Sequence, residues 1–362
     1  MRLTTIDIYL GRRLIAVLVR TLIALVAVFI LIDLLTHRRS QILRMDVPWG
    51  VVVRYYLAYI PWVTFQVAPL SILVASLMVM GDAAQTNELT AALAGGISLR
   101  RFSRVLLLIG LLFSLVLFAA EETIGPYAAQ HAERIERTNF QRNPDSRRSG
   151  LTWTRLSDGW TCHVLKFNRV ALTGEGVLLH AVHNQAMEHI RARRIYWDET
   201  RGQWILEDGH WLVFSPGGGS VDSQERITQK PAPFNERPEL LFAMDRPPET
   251  QTVLGLAAVV RHAERIGVPA QRLLVDFHTK FAQPAVAFIM VWLAIPFAIR
   301  VRRGGVAIGF GASVAIALVY LTLFGIAVTL GDAGRLAPSL AAWLTNLVFL
   351  AGGITLFLKT PT

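Results

Sequence analysis

Long apolar segments alternate with short polar segments along this chain. Five windows contain no Asp, Glu, Lys or Arg, and a sixth, Leu14–Ile32, is interrupted only by Arg20. The five are Val63–Met80, Val105–Ala120, Phe281–Ile299, Gly304–Gly331 and Leu336–Leu358. Each is near the roughly 20 residues that an α-helix needs to cross a bilayer. The pattern predicts a polytopic α-helical membrane protein with six transmembrane helices.

A segment of different character, rich in Trp, Arg, His and Gly, lies between the third and fourth predicted helices. Short runs there alternate apolar and polar positions or carry β-branched and aromatic residues, and glycine-containing turns separate them. The runs are Leu151–Leu156, Thr161–Phe167, Gly176–His183, Arg193–Asp198, Gln203–Glu207 and His210–Phe214. They predict an inserted all-β domain of the sandwich or jelly-roll type, flanked by helices at Glu121–Asn139 and Gln251–Ile266.

These elements predict three parts of the chain. Residues 1–122 would hold transmembrane helices 1–3, with a cytoplasmic helix at about 82–96. Residues 123–270 would form the inserted β domain with its flanking helices, and residues 271–362 would hold transmembrane helices 4–6.

The charges add the orientation of the predicted helices in the membrane. The net charge of +10 could suit nucleic acid, but the chain has no long basic tail and no nucleic-acid-binding motif, so no nucleic-acid partner is expected. Ten Lys and Arg residues flank the helices on one side and five lie in short loops of the other. By the positive-inside rule, both termini are expected in the cytoplasm and the β domain outside it.

Motifs of catalysis, nucleotide binding and metal binding are missing from the sequence. There is no GxxxxGK[ST], HExxH or GxSxG, and no paired Cys/His spacing. No catalytic residue, metal site or cofactor is therefore expected, and the single cysteine, Cys162, is expected to be a small buried residue. The later helices are expected to contain no buried polar pair, which argues against a proton-coupled transporter. Energy for any transport would have to come from a partner.

Gly81–Arg104 is a polar segment between the second and third predicted helices. Acidic residues lie early in it and three arginines lie late. As one helix ended by Gly95-Gly96, it would place anions near its N-terminus and cations near its C-terminus, the order that the helix dipole favours.

A basic cluster marks the end of the first predicted helix, which is expected within Ile32–Arg39. The cluster consists of His37, Arg38, Arg39 and Arg44. It is interpreted either as a snorkelling anchor for anionic headgroups or as a site for a phosphate-bearing lipid.

Two separated motifs resemble the LptF/LptG family of lipopolysaccharide export permeases. The first is Thr86-Asn87-Glu88-Leu89 followed by Ala94-Gly95-Gly96-Ile97-Ser98. The second is Phe277–Pro284, which leads into Trp292–Phe297. The order of three helices, a β domain and three helices agrees, so the resemblance covers nearly the whole chain. Asp7–Leu10, Leu31–Leu34 and the short C-terminal tail resemble LptG more than LptF.

The resemblance implies a non-enzymatic permease subunit in the bacterial inner membrane. Such a subunit extracts lipopolysaccharide and passes it to a periplasmic β-jelly-roll bridge toward the outer membrane. The implied partners are an LptF-like paralogous subunit, two copies of an LptB-like ATPase and an LptC-like periplasmic protein, together with membrane lipids. The alternatives are a membrane-anchored periplasmic scaffold or binding protein without transport activity and an autonomous secondary transporter.

The resemblance also implies roles for particular residues. In the coupling helix, Glu88 would pair with an ATPase arginine, with apolar contact from Leu89, Ala92 and Leu93 and with Gly96 at the end of the helix. The basic cluster would meet the phosphates and sugar acids of the lipid. Gly304, Gly305, Gly309 and Gly311 of the fifth helix would form lateral gates together with the first helix. A lysine that some members carry in the first helix has no counterpart, since Val28–Ile32 is apolar.

Overall fold

The computed structural model describes residues 5–140, 151–156, 159–168, 171–183, 186–215, 221–234, 236–238, 246–300 and 305–359. In this part of the chain six helices are long and apolar enough to cross a membrane, which confirms the prediction. They are α1 (Thr5–Asp33), α3 (Trp49–Gln85), α5 (Leu99–Thr123), α8 (Gln271–Arg300), α9 (Gly305–Asp332) and α10 (Pro338–Leu358). The other α-helices are α2 (Arg39–Met45), α4 (Glu88–Ala94), α6 (Gly125–Asn139) and α7 (Val253–Arg265).

The chain divides into two compact units. The membrane unit comprises Met1–Phe140, Pro248–Val253 and Gln271–Thr362, and the inserted unit comprises Gln141–Pro247 and Leu254–Ala270. The charged helix α6 therefore belongs with the membrane helices. It follows α5 after the single residue Ile124, as expected for a continuation of the third membrane helix.

The first membrane helix is longer than its apolar window. After α1 the chain passes through a π-helical turn, Leu34–Arg38, directly into α2, and the helical path ends where Asp46 adopts a left-handed conformation. The α-helix α1 thus ends at Asp33, within the expected Ile32–Arg39, but the helical path continues to Met45. Charged residues end the apolar window but do not break a helix, and the π-turn accommodates the change in register.

The second and fourth membrane helices form the centre of the membrane unit. Of their most apolar windows, 61% in α3 and 67% in α8 is buried by this chain, against 6% in the first helix and 22% in α9. The first and fifth membrane helices thus leave most of their apolar surface uncovered.

Glycines at Gly110 and Gly353 allow two of the outer helices to approach α8 closely. A Cβ at Gly110 of α5 would lie 2.8 Å from Cγ2 of Val291, and a Cβ at Gly353 of α10 would lie 3.3 Å from the backbone nitrogen of Leu293. Small residues at such positions let helix backbones come near each other.

The inserted unit contains one six-stranded antiparallel sheet in its described part, with strand order β1-β2-β3-β4-β5-β6. The strands are β1 (Leu151–Arg155), β2 (Thr161–Asn168), β3 (Thr173–His183), β4 (Ala186–Asp198), β5 (Gln203–Phe214) and β6 (Val221–Pro231). An inserted all-β domain is confirmed, and the two-sheet arrangement of a jelly roll stays a prediction. Strand β6 was not predicted. It pairs with β5 alone and buries only Ile227 among its residues, so it lacks an apolar alternation.

Apolar side chains from the strands form a separate hydrophobic core in the inserted unit. The buried Trp204 lies in it and donates its indole N–H to the carbonyl of Glu236 at 2.9 Å. Cys162 is buried in the same core as a free thiol, as expected. Burial raises the pKa of the Cys162 thiol to about 12.

We expect Cys162 to resist alkylation in the folded protein. Only the thiolate is nucleophilic, and a pKa near 12 keeps the thiol protonated at pH 8. Labelling with N-ethylmaleimide, read by mass spectrometry, should be slow in the native protein and complete in denaturant. Lys166→Cys, at an exposed position of the same strand, should add one rapidly labelled site. Equal rates at the two positions would show that the core is open.

Candidate functional site

The segment between the second and third membrane helices folds into a short helix of its own. Helix α3 continues to Gln85, and α4 begins only at Glu88, after Asn87 in a left-handed conformation with φ of 62°. The predicted single helix over about 82–96 is therefore wrong, because Asp82 belongs to α3. Asparagine tolerates the left-handed region better than most residues.

The end of α4 is a Schellman motif. The N–H of Ile97 bonds the carbonyl of Ala92, and the N–H of Gly96 bonds that of Leu93, both at 3.0 Å. Gly96 has φ of 82°, so glycine is required for the turn. Ser98 then caps the N-terminus of α5.

The three late arginines of the segment do not lie at a helix C-terminus. Arg100, Arg101 and Arg104 lie in the first turns of α5, where the helix dipole disfavours cations. The prediction that these arginines lie at a helix C-terminus is therefore wrong.

Side chains of α4 divide between the protein interior and the surface. Leu89 is buried in the core of the membrane unit, and Ala92 and Leu93 pack partly against it. Glu88 is about one-third exposed and contacts α1 through Tyr9 and Arg13. Beside it is an open, mostly apolar cavity of about 430 Å³ between α1 and α4. Leu89 was predicted to contact the ATPase, but in this chain its buried side chain packs α4 against the membrane unit.

At the other end of the first membrane helix, Arg38 is a buried structural residue. Its guanidinium donates to the hydroxyl of Tyr55 at 2.5 Å and to Glu136 at 2.9 Å, and its Nε lies 3.9 Å from Asp33. The guanidinium also lies over the aromatic ring of Tyr55. Arg38 thus joins the first membrane helix to α3 and α6.

The other members of the basic cluster are exposed. His37, Arg39 and Arg44 all present their side chains at the surface of the membrane unit. Nδ1 of His37 is 3.7 Å from Asp33, which is a weak contact for an exposed side chain. The structure therefore separates the cluster into one engaged arginine and three side chains that could reach an anionic ligand.

The predicted gate glycines lie at or near the start of α9. Gly305 is its first residue, and Gly304 lies outside the described residues. At Gly309 and Gly311 an added Cβ would meet nothing within 4 Å. These two glycines face open space in this chain, in contrast to Gly110.

The structure also contains an ion pair between a buried lysine and a partly buried glutamate that the charge-free windows do not predict. Nζ of the buried Lys280 in α8 lies 3.3 Å from Oε1 of Glu122, at the end of α5, and Oε2 of Glu122 accepts the backbone N–H of Val253 at 2.7 Å. Lys280 belongs to the fourth membrane helix and Glu122 to the third, so this pair does not lie within the later helices. Lys280 lies directly before the charge-free window, and nothing in that window predicts its partner.

A second polar contact connects the last two membrane helices. The hydroxyl of Tyr320 donates to Asn346 at 2.7 Å, and the amide of Asn346 donates to the carbonyl of Ala282 at 2.8 Å. Each side chain is buried and satisfied, which identifies this contact as helix packing.

We expect Arg38→Ala to destabilise the membrane unit and Arg39→Ala to leave its stability unchanged. Loss of Arg38 leaves the carboxylates of Asp33 and Glu136 without this cation. The cost should be about 2 kcal/mol, below the roughly 3–5 kcal/mol of a fully buried pair, because Glu136 is partly exposed. Melting temperatures of the purified protein in detergent test this. Equal values for the two variants would contradict it, since both lose one positive charge.

Six membrane helices and an inserted β sheet are the framework of this chain. No curated protein matches the chain. A family model described as "Lipopolysaccharide export system permease LptF/LptG" matches residues 8–359, which is nearly the whole length. The chain belongs to the LptF/LptG family of lipopolysaccharide export permeases.

Proposed function

We propose that this chain is the permease subunit through which an ATPase drives the extraction of lipopolysaccharide from the inner membrane. The observation that carries the proposal is the surface position of α4, with its partly exposed Glu88, in a chain that matches the permease family over residues 8–359. The ATP would be hydrolysed by a separate subunit, present in two copies, that docks on α4. The lipid would leave toward a β-jelly-roll bridge to the outer membrane.

The uncovered helices support a paralogous partner subunit. The first membrane helix and α9 bury little of their apolar surface within this chain. In the proposal they meet the LptF-like subunit and form lateral gates, with this chain as the LptG-like subunit. Gly305, Gly309 and Gly311 would let α9 approach the partner closely, because small residues permit short interhelical distances.

The exposed part of the basic cluster supports a site for the anionic lipid. Arg39 and Arg44 lie exposed in α2, which directly continues the first membrane helix, and His37 lies just before them. Arginine suits phosphate because its planar guanidinium can donate two parallel hydrogen bonds. Arg38 would orient this surface through its contacts with Tyr55 and Glu136. We propose the orientation in which both termini are cytoplasmic and the inserted unit is periplasmic, where it would meet an LptC-like protein.

We expect Glu88→Lys to weaken association with the ATPase at least about tenfold, since a like charge would face the ATPase arginine. Co-purification and a titration of the purified ATPase measure this. Gln85→Lys is the control, because it places a lysine at an exposed position just before α4 and leaves Glu88 in place. Full assembly and lipid release by Glu88→Lys would contradict the coupling role. A scaffold protein would purify with neither ATPase nor bound lipid.

We expect Arg39→Ala combined with Arg44→Ala to reduce co-purifying lipopolysaccharide about tenfold, because two charge-assisted contacts to phosphate are lost. Arg54→Ala is the control, since Arg54 is an exposed arginine on the same side, in α3. Lipid content is measured by mass spectrometry of the purified complex. Unchanged occupancy in the double variant would leave only the headgroup-anchor role.

A further inference from the structure

Arg13 of α1 lies between two carboxylates, one at the end of the second membrane helix and one at the start of α4. Its guanidinium is 3.0 Å from Oδ2 of Asp82 and 3.6 Å from Oε2 of Glu88. Asp82 lies in the last turn of α3, and Glu88 begins α4. One cation of the first membrane helix therefore bridges the end of the second membrane helix and the start of α4.

Tyr9 completes this group one helical turn before Arg13. Its hydroxyl donates to Oε1 of Glu88 at 3.3 Å and accepts from Nη1 of Arg13 at 3.3 Å. Each carboxylate oxygen of Glu88 thus has a partner in α1. We call Tyr9, Arg13, Asp82 and Glu88 the Arg13 cluster.

The Arg13 cluster is accessible enough to exchange partners. The side chains of Arg13, Asp82 and Glu88 are 26%, 34% and 37% exposed. Ion pairs at this exposure are weak in water, so another cation that reaches Glu88 can replace Arg13. Asp82 would still hold Arg13 after such a replacement.

The part of α1 that carries Arg13 is packed against the membrane unit. Leu10 and Leu14 on either side of it are buried in the core of the membrane unit, whereas the most apolar window of the first helix is only 6% buried. A change at Arg13 therefore acts on the packed start of a helix whose apolar middle is little buried by this chain.

We propose that Arg13 is a positioning residue that couples α4 to the first membrane helix. This role rests on the proposed function, in which a cation of the ATPase meets Glu88. In one state Glu88 holds α1 through Arg13 and Tyr9. In the other state Glu88 pairs with the ATPase, and Asp82 alone retains Arg13. The exchange links nucleotide-driven docking at α4 to the helix that carries Arg39 and Arg44 at its far end.

The test compares Arg13→Ala with Arg12→Ala in the full complex with its ATPase and partner subunit. Arg12 is the matched control, because it is exposed and forms no ion pair with the described residues. Arg13→Ala should keep ATPase association and ATP hydrolysis but release about fivefold less lipopolysaccharide per ATP hydrolysed, within the usual range of allosteric coupling. Arg12→Ala should match the wild type.

Two further variants separate coupling from simple destabilisation. Arg13→Lys keeps the charge without the planar fork and should recover part of the lipid release per ATP at an unchanged melting temperature. In a double-mutant cycle with Glu88→Gln, the combined loss should be clearly smaller than the sum of the two single losses, because Arg13 and Glu88 share one contact. Additive losses would overturn the role of Arg13, and so would equal release per ATP in Arg13→Ala and Arg12→Ala.

The outcomes also separate this role from the proposed function. Retention of the ATPase by Glu88→Lys would defeat the proposed function itself. Loss of the ATPase by Glu88→Lys, together with wild-type lipid release per ATP in Arg13→Ala, would defeat the role of Arg13 alone.

Discussion

The first membrane helix is held to its own chain by ion pairs at its two ends and by limited packing between them. Arg13 pairs with Asp82 and Glu88 at one end, and Arg38 pairs with Glu136 at the other. Only 6% of its most apolar window is buried. Apolar side chains gain little from packing on each other in lipid, because the lipid tails are equally apolar, so polar contacts decide where such a helix rests.

This arrangement suits a helix that changes position during transport. Ion pairs near the membrane surface can exchange one partner for another, whereas a tightly packed helix core resists movement. In the proposed function, the ATPase acts at the Glu88 end and the lipid arrives at the opposite end, beside Arg39 and Arg44. The central helices α3 and α8 are well buried and would stay in place. The ion pair of the buried Lys280 with the partly buried Glu122 adds a contact between α8 and α5.

Elements with a strong local signal were predictable, and elements that depend on a neighbour were not. The six membrane helices were evident because each contains a long window with almost no charge. Strand β6 was missed because it is polar and is defined by its hydrogen bonds to β5. The separate helix α4 was missed because the break at Asn87 depends on one left-handed residue, which composition does not indicate. Gly96, in contrast, was identified as part of the end of that helix because glycine after a helix is a strong stop signal.

Composition and motifs alone were sufficient for the fold class, the inserted β domain and the family, since each depends on residues close together in the chain. They also located Glu88 and the basic cluster. Contacts across the fold decided which residues of that cluster are exposed and which is engaged. Arg38 is engaged because Glu136, far away in the sequence, is 2.9 Å from it. The same holds for Arg13, whose carboxylate partners come from two other helices, α3 and α4. Partners of a charge are set by tertiary packing, so the sequence could show the charges but not their pairs.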